Sequence, residues 1–68
     1  MAKRTDLLLH GEGSIYLLRA ASRRGQLWVD DNVSTDRQEW AGAVVIEHRY
    51  IADIVHGAVA DGLRVRSW

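Results

Sequence analysis

The densest group of side chains capable of acid–base chemistry is the run Glu47-His48-Arg49-Tyr50. A histidine titrates near neutral pH, and a neighbouring carboxylate can raise its pKa, as in a general base. Adjacent residues of a strand point to opposite faces, however, so Glu47 and His48 do not easily share a site. We therefore interpret the run as the end of a strand followed by the start of a helix.

Two other patterns are superficially similar to ligand sites. The histidines His10, His48 and His56 match no metal-ligand spacing and include no pair four residues apart. The run Gly11-Glu12-Gly13-Ser14 lacks the lysine and the following helix of a phosphate-binding loop, and no serine lies in a nucleophile elbow. The sequence therefore predicts no catalytic, cofactor-binding or metal-binding residues, and we expect a protein that is not an enzyme.

Composition narrows the class of protein further. The chain has 68 residues, nine Lys and Arg against nine Asp and Glu, and no cysteine. Zero net charge disfavours both a strongly basic nucleic-acid binder and an acidic mimic of DNA. A domain this small has a weak core and commonly gains stability from disulfides, metals or self-association, and the first of these is excluded here. No signal peptide or membrane span is recognisable, so we expect a cytoplasmic protein.

The first half of the chain predicts a β-hairpin followed by a helix. Strands are predicted from Thr5 to His10 and from Ser14 to Ala21, joined by a loop at Gly11-Glu12-Gly13. Ser22 is a suitable N-cap for a helix over Arg23–Val33, in which apolar residues recur on one face.

The second half predicts a strand, a helix and a strand. Thr35 followed by Gln38 fits a capping box and predicts a single helical turn. Ala43–His48 is an apolar strand, and Arg49–Asp61 shows the clearest helical periodicity in the chain. Leu63–Trp68 then alternates between apolar and polar residues, as a half-buried strand does.

These elements predict one α+β domain over residues 1–68 with the order ββαβαβ. The last strand–helix–strand unit implies that the third and fourth predicted strands are parallel. The expected architecture has two layers: a four-stranded mixed sheet with both helices on one face.

Such an arrangement leaves the other face of the sheet without helices, and this face carries the candidate interaction residues. When one face of a sheet is solvated, its strands normally place polar residues on that face. Here apolar residues fall on both faces of three strands. Exposed apolar patches with polar rims mark interaction sites, where Arg and Trp are enriched. The predicted interaction residues are Ile15, Leu17, Arg19, Arg64, Arg66 and Trp68.

Several stretches of the chain resemble a group of small bacterial proteins of unassigned function. The stretches are Gly13–Leu18, Leu27–Val29, Asn32–Val33, Val45–Tyr50 and Asp61–Leu63. The group is similar to proteins encoded on plasmids, phages and other mobile elements. The resemblance implies an accessory role, such as inhibition of a host defence complex by stoichiometric binding, and it implies no catalytic residues.

Three functions follow as expectations. The first is a non-enzymatic interaction module without cofactors, forming a homodimer through the open sheet face or a strand edge. The second is binding of a host protein by the same face. The third is a small nucleic-acid binder that uses Arg19, Arg64, Arg66 and Trp68 to hold phosphates and stack bases. We expect no membrane partner.

Overall fold

The computed structural model describes residues 4–33, 38–40 and 42–68. It is an α+β fold in which two helices accompany a mixed sheet of five strands, whereas the sequence predicted four strands. The elements are β1 (Leu7–Glu12), β2 (Ile15–Ala20), α1 (Arg23–Asn32), β3 (Glu39–Trp40), β4 (Ala43–Glu47), α2 (His48–Ala60) and β5 (Val65–Ser67). The strands lie in the order β3-β4-β2-β1-β5.

The predicted hairpin is confirmed, but its turn is tighter than expected. β1 continues through Gly11 and Glu12, which were predicted to lie in the loop, and Glu12 pairs with Ile15. The reversal needs only Gly13 and Ser14. Gly13 has a φ of 64°, which a glycine adopts without the steric cost that other residues have. β1 therefore ends two residues later than predicted, and Glu12 contributes a side chain to the sheet.

The additional strand β3 changes the predicted order to ββαββαβ. β3 pairs antiparallel with the start of β4, Trp40 lying opposite Ala43. Gln38 immediately precedes β3, and its carbonyl accepts a hydrogen bond from the Val45 amide at 2.8 Å. The helical turn predicted from Thr35 to Gln38 lies, apart from Gln38, outside the described residues.

The last strand–helix–strand unit spans most of the sheet. β4 and β5 run in the same direction, as predicted, since β4 is antiparallel to β2, β2 is antiparallel to β1, and β1 is parallel to β5. The two strands are not neighbours, because β2 and β1 lie between them. The pairing of β5 with β1 brings the end of the chain beside its beginning.

Both helices pack on the same face of the sheet. The main core joins Leu18 of β2 and Val44 of β4 to Val29 of α1 and Ala58 of α2. Leu18 and Val44 are cross-strand partners, so their side chains share a face. Among the described residues, neither helix has the length and apolar character needed to cross a bilayer.

Asp6, immediately before β1, ties three segments of the fold together. Its carboxylate is fully buried and accepts hydrogen bonds from the Ser22 hydroxyl at 2.7 Å and from the Arg64 amide at 3.0 Å. These two bonds, with the nearby Arg4 guanidinium, hold the pKa of Asp6 below its ordinary value against the opposing effect of burial. Ser22 also caps α1 as predicted, because its hydroxyl accepts a hydrogen bond from the Gly25 amide at 3.0 Å.

The two helices are joined at their solvent-exposed edge. The Trp28 indole nitrogen of α1 donates a hydrogen bond to the Asp61 carboxylate at 2.7 Å, just after α2. Gly62 follows with a φ of 86°, and the Leu63 amide donates back to the Ala58 carbonyl at 3.0 Å, so α2 ends in a left-handed C-terminal cap.

Candidate interaction surface

The face of the sheet opposite the helices is defined by strand alternation, and we call it the open face. Cross-strand pairing places Leu17 beside His10 on one side and Val45 on the other, in the middle row of this face. The residues on the open face are Leu8, His10, Glu12, Ile15, Leu17, Arg19, Trp40, Ala43, Val45, Glu47, Arg66 and Trp68.

A half-open groove of about 500 Å³ crosses the open face beside β3, and we call it the indole groove. It is lined by Glu12, Ile15, Leu17, Gln38, Trp40 and Val45. Leu17 is only 4% exposed, whereas the Trp40 indole is 64% exposed. The groove thus combines an aliphatic floor with an exposed aromatic wall, an arrangement suited to apolar contact.

A second cluster lies on the open face where β5 meets β1. The Trp68 ring stacks on the His10 ring with centroids 5.3 Å apart, and the Arg19 guanidinium carbon lies 4.8 Å from the centroid of the Trp68 ring. The Trp68 amide donates to the Leu9 carbonyl at 3.0 Å, which fixes Trp68 against β1. Trp68 remains 44% exposed, so part of its surface is open to a partner.

His10 is held by an acceptor at each ring nitrogen. Nδ1 lies 2.9 Å from the main-chain oxygen of Trp68, and Nε2 lies 2.9 Å from the Glu12 carboxylate. Only the protonated ring donates to both acceptors at once. The pKa of His10 is therefore raised, first by the Trp68 carbonyl and then by Glu12, against a smaller opposing effect of burial.

Charge is unevenly distributed along the strands of the open face. Arg19 and Arg66 both lie beside Leu8, at one end. Glu12 and Glu47 both lie beside Ile15, at the other end. The apolar middle row therefore separates a basic end from an acidic end.

Five of the six predicted interaction residues lie on the open face. Ile15 and Leu17 line the indole groove, Arg19 contacts Trp68, and Arg66 lies at the basic end. Arg64 lies outside β5, in the segment between α2 and that strand, and lines a different groove at the sheet edge.

Sequence reasoning missed several residues that shape this surface, among them His10, Glu12, Trp40 and Val45. Glu12 was predicted to lie in the hairpin loop, and His10 was considered only as a metal ligand and matched no ligand spacing. Local sequence does not decide which alternate residues of β4 lie on this face, because residues 43–46 are all apolar. Cross-strand pairing to Leu17 selects Val45.

The run Glu47-His48-Arg49-Tyr50 does not form a shared acid–base site. Glu47 ends β4 and pairs with the Arg49 guanidinium at 3.3 Å. His48 begins α2, and its ring instead lies 5.9 Å from the ring of Tyr16. Within the part of the chain that the structure describes, no three side chains of His, Asp or Glu converge as metal ligands.

Comparison of the sequence with profiles of known protein families and with curated proteins gives no match, and comparison of the fold with solved structures gives none.

Proposed function

We propose that the protein is a non-enzymatic interaction module that forms a weak symmetric dimer by packing two open faces together. The observation that carries this proposal is the indole groove, an apolar depression on a sheet face without helices. A sheet with one solvated face normally presents polar side chains there. A large apolar patch with a charged rim is instead typical of a contact surface.

The charge distribution supports a second copy of the chain as the occupant. A two-fold axis that crosses the strands along the middle row turns the basic end of one copy onto the acidic end of the other. Arg19 then lies over Ile15 of the second copy, between the carboxylates of Glu12 and Glu47. The same contacts recur on the other side of the axis, because a two-fold interface is self-complementary.

The size of the face predicts a weak dimer. Five strands with a spacing of about 4.8 Å and a rise of about 3.3 Å per residue cover a flat area of roughly 400 Å². With the relief of the side chains, two such faces approach the total of about 1,000 Å² that a specific interface needs. We therefore expect dissociation constants in the micromolar range.

The strand edges offer less for self-association than the open face does. β3 has only two residues, so it forms few main-chain hydrogen bonds with a second copy. Pairing two β5 edges around a two-fold axis brings Arg66 close to its own copy, and like charges on paired strands are destabilising. The open face is therefore the route that we propose.

A mixing experiment tests the dimer. Arg19→Glu places a carboxylate opposite Glu12 and Glu47 of the second copy, and Glu12→Arg with Glu47→Arg gives a chain whose open face is basic at both ends. We expect each variant alone to self-associate at least about tenfold more weakly than the unaltered chain, because like charges meet across the axis. Mixing the two variants restores association, measured by sedimentation velocity between about 1 and 500 µM.

Matched controls separate the proposed geometry from general attraction between oppositely charged chains. Arg23→Glu and the pair Asp31→Arg with Asp53→Arg produce the same charge changes on exposed helical positions. Mixing these control variants should leave association at the level of the unaltered chain. If the unaltered chain stays monomeric throughout, if each control variant alone associates as weakly as the open-face variants, or if mixing the open-face variants does not restore association, the proposed dimer is wrong.

Binding of a host protein and binding of nucleic acid stay predictions. Inhibition of a host defence complex rests on the resemblance, and no contact in the structure favours it. For nucleic acid, the Trp68 ring that was expected to stack on bases already stacks with His10 and Arg19.

A further inference from the structure

The outer edge of β5 carries a second potential binding surface, separate from the indole groove. A groove of about 440 Å³ follows this edge, lined by Arg4, Val59, Leu63, Arg64, Val65 and Arg66. Within the described ranges, every charged residue that lines it is an arginine. The groove therefore combines an apolar floor with a concentration of positive charge.

The main chain of β5 is available for strand pairing along this edge. The Arg64 carbonyl and the Trp68 amide both bond to β1. Main-chain groups of alternate residues in a strand point to the same side, so those of Val65 and Ser67 point away from β1. Among the described residues, no strand lies beyond β5 to receive them.

The side chains along this edge determine which residue types a partner strand needs. Val65 pairs with Leu7 and therefore faces the helix side, where Val59 of α2 is 57% exposed. Arg66 pairs with Leu8 and faces the opposite side. An added strand consequently meets apolar groups with one set of alternate residues and arginine with the other.

We propose that the β5 edge binds an extended peptide segment in which acidic and apolar residues alternate. Main-chain hydrogen bonds to Val65 and Ser67 supply affinity that is independent of side chains, as in other cases of β-strand addition. Arg64 and Arg66 supply charge complementarity. Neither guanidinium makes a hydrogen bond or ion pair with another residue of the described ranges, so both are free to receive carboxylates.

A second copy of β5 is a poor occupant of the same edge, because its arginines repel. Nucleic acid is the remaining alternative, since phosphates also complement arginine. The two ligands differ in what they need from the protein. A peptide strand needs the outward amide of Ser67, whereas a phosphate backbone needs only the positive charge.

The experiment uses a blocked hexapeptide of alternating valine and glutamate, titrated into the labelled protein and followed by NMR amide shifts. We expect shifts centred on Val65 and Ser67, and no binding of the matching valine–lysine peptide. Ser67→Pro removes the outward amide without touching the ladder to β1, and it should weaken binding at least about tenfold. Ser67→Ala retains the amide and should bind as the unaltered chain does.

Charge variants provide a second measurement in case the proline disturbs the edge. Arg64→Ala and Arg66→Ala should each weaken binding severalfold and reduce its dependence on salt, whereas Arg23→Ala, at an exposed position of α1, should change nothing. The proposal is overturned if the acidic peptide fails to bind at about 1 mM. It is also overturned if Ser67→Pro binds normally, or if a single-stranded oligonucleotide binds more tightly than the peptide and depends on the arginines alone.

Discussion

The two faces of the sheet are built from the same strands, and both carry buried aliphatic side chains, but in the described part of the chain only one is covered by helices. Leu18 on the covered face is 1% exposed and belongs to the main core with both helices. Leu17 on the open face is 4% exposed, although it lies outside that core cluster. A side chain buried under the helices stabilises the fold of its own chain. A side chain buried only among neighbouring strands can still contact a partner.

Two polar clusters, one just before β1 and one on the open face, differ in the same way. Asp6 accepts hydrogen bonds from separate segments and is fully buried, so its role is to hold the fold together. His10 is also bonded at both nitrogens, but it lies among exposed groups beside Trp68. The covered side is therefore expected to respond to substitution by unfolding, and the open side by changes in association and local order.

Gly25→Ala should give the largest effect, because it prevents α1 from approaching the covered face. A Cβ atom at residue 25 would lie 2.0 Å from the Asp6 carbonyl oxygen, a main-chain atom that cannot move alone. A core of this size supplies only about 3–5 kcal/mol, so the variant should be largely unfolded by circular dichroism at 25 °C.

Gly57→Ala is the matched control for the glycine in α1. Its Cβ would meet only the Trp28 ring at 3.5 Å, an ordinary contact. Alanine is favoured over glycine in helix interiors, and we expect a gain of about 0.5–1 kcal/mol in unfolding free energy. A Gly25→Ala chain as stable as this control would show that α1 does not approach Asp6 as closely as described.

A pair of leucine truncations compares the two faces directly. Leu18→Ala should lower the free energy of unfolding by about 2–5 kcal/mol at any protein concentration, because it opens a cavity beneath the helices. Leu17→Ala should lower the free energy of unfolding by less than half as much in dilute solution. It should also weaken self-association at least about tenfold. Urea denaturation at low and high protein concentration separates these effects, and equal costs at both positions would contradict the distinction.

Local patterns were sufficient to predict the hairpin, both helices and the face of β2 that carries Ile15, Leu17 and Arg19. Each of these depends on residues close together in the chain, where turn propensity and periodicity act. Ser22 was likewise recognisable as an N-cap, because the capping hydrogen bond joins it to Gly25, only three residues away.

The remaining features depend on pairing between distant segments. β3 is too short to show periodicity, so Trp40 gave no signal of its place beside Ala43. Sheet order is decided by which strands bury one another, and this brought Trp68 beside His10 across 58 positions of sequence. The groove and the ring stack consequently could not be predicted from local pattern, although the apolar character of the open face could.

The smallest predicted effect concerns pH at the open face. His10 has a pKa raised above its ordinary value of 6.5, so its stabilising contacts are complete below that pH and are lost as the pH rises through the higher folded value. The Glu12 carboxylate on β1 favours the protonated ring. Because this cluster is exposed, global stability should change little while Trp68 becomes more mobile.

Amide exchange of Trp68 and the ring signals of His10, both followed by NMR, measure this transition. We expect exchange at Trp68 to accelerate with a midpoint above 6.5, beyond the ordinary acceleration seen at a reference amide such as Leu18. Glu12→Gln should move the midpoint down, since the carboxylate no longer favours the charged ring, and His10→Gln should abolish the transition. A midpoint at or below pH 6.5 would mean that His10 does not donate to both Trp68 and Glu12 in solution. The open face would then lack an ordered contact that helps to fix Trp68 against β1.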